Sequence, residues 1–116
     1  MTKLLLCDDD ESNRLTTSAL LEEEGYVVEL AGSYAEGHAK LTAPGANYGL
    51  LIFDYELGDG FGSALASVAR SSCPGARVLL LTGADDVDSS SVDAVVQKGR
   101  GFEALLAVIR GERSGD

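Results

Sequence analysis

The 116-residue chain alternates short apolar runs with longer segments of helical periodicity. The apolar runs lack the regular polar alternation that a half-exposed strand shows. This pattern is typical of strands that are buried on both faces of a parallel sheet. We predict strands at 3–7, 27–31, 49–53, 77–81 and 94–96.

The segments between these runs carry start and stop signals for helices. The first helix is predicted at 12–24, where Asp10 or Ser12 can cap the N-terminus and Gly25 ends the helix. Residues 33–36 (Ser-Tyr-Ala-Glu) match a capping box, so a second helix begins there and ends before the next proline. Apolar residues at helical spacing predict two more helices, one around Phe61, Leu65 and Val68 and one around Phe102, Leu105, Leu106 and Ile109.

This strand–helix alternation predicts right-handed βαβ units in a doubly wound α/β fold. The last crossover departs from the pattern. Residues 82–93 (TGADDVDSSSVD) are close to the minimum of about 10–12 residues for a crossover with its helix. They contain one Gly, four Asp and three Ser, which are poor helix formers. We expect a helix of at most about two turns there, or an irregular loop.

Composition narrows the class of protein. A hydrophobic fraction of 45% and a charged fraction of 24% are ordinary for one globular domain, so we expect a single domain over 1–116 with a flexible polar tail at 112–116. The net charge of −10 argues against direct binding to nucleic acid or anionic lipid. The sequence shows neither an apolar run of about 20 residues nor a signal-peptide pattern, and a cytoplasmic location is expected.

Polar residues follow four of the predicted strands: the acidic run at 8–10, Asp54, Thr82 and Lys98. The carboxyl ends of parallel strands meet at one edge of the sheet, so these side chains should share a cleft. Clustered carboxylates repel one another, and a hard divalent cation compensates their charge. Such a cation would also help Asp54 to accept a phosphoryl group as an aspartyl phosphate, with the hydroxyl of Thr82 and the charge of Lys98 facing the phosphoryl oxygens.

Four motifs occur in order at these strand ends: LLLCDDD at 4–10, LLIFDYELGDG at 50–60, VLLLTG at 78–83 and VVQK at 95–98. Any one of them is weak by itself. Together they resemble the receiver domains of response regulators in two-component signal transduction, over nearly the whole chain. The resemblance implies a CheY-like, flavodoxin-like fold with a five-stranded parallel sheet in the order 2-1-3-4-5, here with a shortened or missing fourth helix.

The resemblance also implies roles for individual residues. Mg²⁺ would be bound by Asp8, Asp9, Asp54 and the backbone carbonyl of Glu56, with Asp9 the more direct ligand of the acidic pair. Asp54 would be the phosphoacceptor, Thr82 the switch hydroxyl and Lys98 the conserved-type lysine, whereas Asp10 is expected to cap a helix. The phosphodonor would be a phosphohistidine on a sensor histidine kinase or phosphotransfer protein, and the output would pass to an effector protein or domain. The domain would promote its own phosphotransfer and dephosphorylation without being an enzyme for other substrates.

The sequence departs from the family pattern at three positions. Gly58 and Gly99 stand where prolines are usual, and Val95 stands at the aromatic switch position. These departures favour an alternative, a pseudo-receiver that binds partners without phosphorylation. A remoter alternative is a haloacid-dehalogenase-like phosphatase, because Asp8-x-Asp10 and Thr82 resemble its motifs; the short chain and the otherwise unexplained Asp54 oppose it.

Overall fold

A computed structural model describes residues 2–84 and 87–111. Strands and helices alternate along the chain until the last crossover. The elements are β1 (Lys3–Cys7), α1 (Glu11–Glu23), β2 (Val27–Ala31), α2 (Tyr34–Thr42), β3 (Leu50–Asp54), α3 (Gly62–Ser72), β4 (Arg77–Thr82), β5 (Ala94–Gln97) and α4 (Phe102–Ile109).

All five strands lie parallel in one sheet with the order β2-β1-β3-β4-β5. This order confirms the predicted doubly wound topology. β1 and β3 occupy the middle, and the residues 4–7 and 50–54 are buried throughout. Their apolar runs follow from this position, because a central strand of a two-sided sheet meets helices on both faces.

The two faces of the sheet carry different helices. On one face, Leu5 and Cys7 pack in a cluster with Leu65 of α3; on the other, Leu4 and Leu6 pack in a second cluster. Successive side chains of a strand point to opposite faces, so one run of β1 supplies both cores. Each fully buried leucine stabilises the fold by about 1.5–3 kcal/mol relative to exposure.

The crossover from β4 to β5 has no helix in its described part, residues 83–84 and 87–93. This confirms the prediction of a shortened or missing helix; Asp85 and Asp86 lie outside the described residues. The loop is nevertheless held against α3. The guanidinium of Arg70 donates to the carbonyl of Ser91 at 2.9 Å and contacts the carboxylate of Asp93 at 3.1 Å. Val87 and Val92 cover the core where a helix would otherwise pack.

The other element boundaries agree closely with the sequence predictions. The third strand lies one residue later than predicted, at Leu50–Asp54, so the phosphoacceptor candidate is the last residue of the strand. The predicted flexible tail at 112–116 lies outside the described residues. Within the described ranges, the helices are too short or too polar for any of them to cross a bilayer.

The start of α3 lies directly against the end of β3. The N–H of Gly62 donates to the carbonyl of Tyr55 at 2.7 Å. A Cβ atom at Gly62 would lie 2.2 Å from the carbonyl oxygen of Asp54. The clash could not be relieved by rotation of a side chain, because the carbonyl oxygen of Asp54 belongs to the backbone. Glycine at 62 therefore allows α3 to begin under the strand end that carries Asp54.

We expect Gly62→Ala to destabilise the fold by about 1–3 kcal/mol, since a buried methyl group would force the backbone apart. Gly75→Ala is the matched control, because a Cβ there meets no atom within 4 Å. The control should change stability by less than about 1 kcal/mol. Urea unfolding of both variants measures the difference, and equal stabilities would contradict the close approach at Gly62.

Candidate functional site

Three carboxylates meet at the carboxyl edge of the sheet. β1 and β3 are neighbours, with Cys7 opposite Phe53, so the residues that follow these strands are adjacent. One carboxylate oxygen from each of Asp8, Asp9 and Asp54 lies within 4.8 Å of the other two. Asp8 and Asp54 are each only 4% exposed, whereas Asp9 is exposed. The predicted acidic cluster is therefore present, with two members removed from water.

Burial and repulsion between neighbouring carboxylates both affect the pKa of Asp8. Desolvation raises the pKa of Asp8 above its ordinary value, the N–H of Asp10 opposes this by donating to Oδ1 at 2.9 Å, and the charge of Asp54 raises it further. A carboxylate in this position favours protonation unless positive charge is supplied. The negative charge of the three carboxylates therefore needs positive charge nearby to compensate it.

Lys98 supplies part of that charge. Its Nζ donates to Oδ2 of Asp54 at 2.9 Å, across 44 residues of sequence. Desolvation lowers the pKa of Lys98, but the hydrogen bond and charge of Asp54, together with Asp8 and Asp9, outweigh it and leave the pKa raised. The backbone N–H of Lys98 donates to the carbonyl of Thr82 at 2.8 Å, which fixes the end of β5 beside β4.

Thr82 is buried beside the pair, at 2% exposure. Its Oγ1 accepts a hydrogen bond from the N–H of Ala84 at 2.9 Å. The hydroxyl proton is not used in that bond and can be donated to a ligand. Thr82, Asp54 and Lys98 open onto one cleft of about 450 Å³. Its lining residues are Asp9, Asp10, Asn13, Asp54, Tyr55, Glu56, Thr82, Gly83, Ala84 and Lys98.

The residues present fit a hard divalent cation. Three carboxylates offer oxygen ligands close enough to share one ion, and among the described residues Asp8 and Asp9 have no ion-pair partner. Oxygen ligands of this kind are those that Mg²⁺ prefers. Glu56, the predicted source of a carbonyl ligand, lines the same cleft.

Asp10 occupies the capping position that was expected for it. Its Oδ1 accepts a hydrogen bond from the N–H of Asn13 at 3.0 Å, and its backbone is extended. α1 therefore begins one residue after the acidic run. The choice between Asp10 and Ser12, left open by the sequence, is decided by the position of the helix start.

The loop from β3 to α3 contains a contact that the sequence did not predict. Both carboxylate oxygens of Asp59 accept hydrogen bonds from the start of α2, at 2.7 Å from the N–H of Tyr34 and 3.0 Å from that of Ala35. Gly58 has φ +81°, which the fixed ring of proline cannot adopt. This loop conformation therefore requires a residue other than the proline that is usual at this position. The loop beside Asp54 is thereby joined to α2.

Comparison with known proteins identifies the family. The model of the response regulator receiver domain matches residues 4–106, and the chain belongs to this family. Among curated relatives, the photosynthetic apparatus regulatory protein RegA of Cereibacter sphaeroides is 39% identical over 80 residues, 69% of this chain and 42% of the relative. The transcriptional regulatory protein CusR of Escherichia coli is 30% identical over 115 residues, 93% of this chain and 49% of the relative. The chain thus spans less than half of the length of these relatives.

Solved structures agree with this assignment. The CheY-like receiver domain protein from Methanospirillum hungatei has a TM-score of 0.87 at 31% identity, covering 96% of this chain and 92% of that one. The response regulator TrrA from Thermotoga maritima, solved in complex with Mg²⁺ and BeF, has a TM-score of 0.85 at 29% identity, covering 96% and 98%. The receiver fold predicted from the sequence is confirmed.

The Asp59 contact gives the stability of the fold a dependence on pH. The two backbone N–H donors hold the pKa of Asp59 below its ordinary value. A group with a lowered pKa in the folded state contributes stability above its unfolded pKa, near 3.9, and loses it as pH falls through the folded pKa.

We therefore expect Asp59→Ala to be less stable than wild type at pH 7, and the difference to shrink below about pH 4. Ser33→Ala removes a neutral cap at the same helix end, where Oγ accepts from the N–H of Glu36 at 3.1 Å. Its cost should stay constant with pH. Urea midpoints between pH 7 and pH 3 measure both, and a pH-independent effect of Asp59→Ala would count against the charged contact.

The acidic cluster should also destabilise the protein when no cation is present. We expect Asp9→Asn in EDTA to raise the free energy of unfolding by about 0.5–1 kcal/mol, because a charge that repels Asp8 and Asp54 is removed. In 1 M NaCl, where screening acts over about 3 Å, the gain should diminish. Urea unfolding at both salt concentrations tests this, and a loss of stability in the variant would contradict the repulsion.

Proposed function

We propose that this receiver domain accepts a phosphoryl group on Asp54 from a phosphohistidine of a sensor histidine kinase or phosphotransfer protein. The observation on which the proposal rests is the environment of the Asp54 carboxylate. Its carboxylate is buried at the end of β3, hydrogen-bonded to Lys98, adjacent to two further carboxylates and open to a cleft. The receiver family and the structural similarity to a protein solved with Mg²⁺ and BeF support the same role.

Mg²⁺ is the cofactor of this proposal. The carboxylates of Asp8, Asp9 and Asp54 and the backbone carbonyl of Glu56 would hold it. When bound, it supplies positive charge against the oxygens of the incoming phosphoryl group. Asp8 and Asp9 each contribute a carboxylate oxygen to its binding, and the burial of Asp8 strengthens the attraction between its carboxylate and the cation.

The residues around Asp54 have separate tasks in the transfer. Lys98 holds Oδ2 at 2.9 Å, which leaves the other oxygen to attack phosphorus. A bond from that oxygen to phosphorus forms as the phosphorus–nitrogen bond of the donor breaks, and the histidine departs with the bonding electrons. The hydroxyl of Thr82 then donates to a phosphoryl oxygen, while Lys98 balances the added charge.

Water in the open cleft would later hydrolyse the aspartyl phosphate. We therefore class the domain as a receiver that promotes its own phosphorylation and dephosphorylation, and not as an enzyme for other substrates. Because the chain belongs to the receiver family, we do not retain the haloacid-dehalogenase-like phosphatase as an alternative. The output would pass by protein–protein contact to an effector protein or domain, as the names of the transcriptional regulators among the relatives suggest.

A pseudo-receiver is the second candidate because of the β4–β5 region. Val95 has no aromatic ring or hydroxyl to rotate between two positions, and it is half-buried against the core. The described crossover also lacks the helix that would move with it. In this alternative the domain binds its partner without modification of Asp54.

Incubation with Mg²⁺ and acetyl phosphate separates these functions. We expect intact-protein mass spectrometry to show the gain of one phosphoryl group in wild type and no gain in Asp54→Ala. Glu103→Gln is the matched control, because it alters an exposed carboxylate in the first turn of α4 that lies outside the acidic cluster and should leave the gain intact.

EDTA should abolish the gain if the acidic cluster binds the cation, and Lys98→Met should reduce its rate by roughly 10²–10³-fold through loss of charge stabilisation. An unmodified wild type that also fails to bind Mg²⁺ would contradict phosphotransfer and favour the pseudo-receiver. A gain that survives in Asp54→Ala would show that another residue is the acceptor.

A further inference from the structure

Arg14 reaches from the first turns of α1 back to the acidic run. Its Nη1 donates to the backbone carbonyl of Asp8 at 2.7 Å. The side chain is only 17% exposed, so this hydrogen bond is largely shielded from water. Its nearest carboxylate, that of Glu11, lies 3.9 Å from Nη2 and is 81% exposed. The carbonyl of Asp8 is therefore the main partner of the guanidinium, and an exposed ion pair at this distance adds little.

The carbonyl of Asp8 belongs to the peptide unit that joins Asp8 to Asp9. Asp8 is also held by its side chain, which accepts from the N–H of Asp10 at 2.9 Å. The carboxylate of Asp9 makes no hydrogen bond or ion pair within residues 2–84 and 87–111. The direction of that carboxylate thus depends on the backbone before it, and Arg14 holds that backbone.

The end of β2 leaves space for this contact. A Cβ atom at Gly32 would lie 2.9 Å from Nη1 of Arg14. A Cβ atom at 32 would require the guanidinium to shift from its present position. The contact therefore depends on the glycine that follows β2 as well as on α1.

We propose that Arg14 is a positioning residue for the acidic cluster, which fixes the peptide between Asp8 and Asp9 and so sets the affinity for Mg²⁺. The proposal rests on the proposed function in one respect, that the cluster binds Mg²⁺. Groups that orient metal ligands from outside commonly change metal affinity by about 10–100-fold when removed.

The charge of Arg14 acts in the opposite direction to its hydrogen bond. A cation near the cluster repels Mg²⁺, so a purely electrostatic role predicts tighter Mg²⁺ binding when the charge is removed. A positioning role predicts weaker binding. The sign of the change in affinity therefore separates the two roles.

The test is a calorimetric titration of Mg²⁺ into wild type, Arg14→Met and Arg14→Lys. Methionine has similar length but neither donor nor charge, whereas lysine keeps both. We expect Arg14→Met to weaken Mg²⁺ binding about tenfold and Arg14→Lys to restore most of the affinity. Gly32→Ala should also weaken binding while Arg14 itself is unchanged. Leu21→Val, in the buried face of α1, controls for a general loss of stability and should leave the affinity unaltered.

Tighter binding in Arg14→Met, or equal affinities in all variants, would overturn the positioning role while the Mg²⁺ site stands. A wild type that binds no Mg²⁺ would overturn the positioning role together with the metal site. Mg²⁺ binding that depends on Arg14, in a protein whose Asp54 accepts no phosphoryl group, would overturn phosphotransfer alone.

Discussion

The central constraint on this structure is the burial of carboxyl groups at the ends of apolar strands. Asp8 and Asp54 each follow a run of buried residues, and the sheet brings them together at one edge. Burial of such groups is unfavourable unless charge and hydrogen bonds compensate. Lys98 provides the charge and the N–H of Asp10 provides a donor. The site thus combines a stable core with a local shortage of positive charge that a cation can fill.

Backbone contacts from several elements support the position of these carboxyl groups. Gly62 lets α3 approach the carbonyl of Asp54, and Asp59 joins the following loop to α2. Arg14 holds the peptide after Asp8 from the other side. These contacts involve α1, α2 and α3, so the first three βα connections of the chain all support the backbone that carries the acidic side chains.

Local sequence signals predicted much of this arrangement, because apolar runs and caps act over a few residues. The strands and the helix start near Asp10 followed from such signals, as did the lack of a helix in the described residues of the β4–β5 crossover. Contacts between strand ends were also predicted through the topology, including that of Asp54 with Lys98 across 44 residues. Contacts made from turns and helices left no comparable signal. Asp59 meets Tyr34 across 25 residues, so a carboxylate in a turn gave no indication of its partner. Arg14 is only six residues from Asp8, but an arginine in a helix is ordinarily a surface residue.

The short edge strand β5 has a consequence for fluctuations of the native state. It has four residues and leads into the eight-residue α4. Within the described part of the chain, β4 is its one neighbour in the sheet. Terminal elements of this kind open at lower free energy than the centre of a sheet. Lys98 leaves with β5 whenever this end opens, whereas Asp54 remains in the buried middle of the sheet. The ion pair that compensates the charge of Asp54 is therefore only as persistent as the pairing of this edge strand.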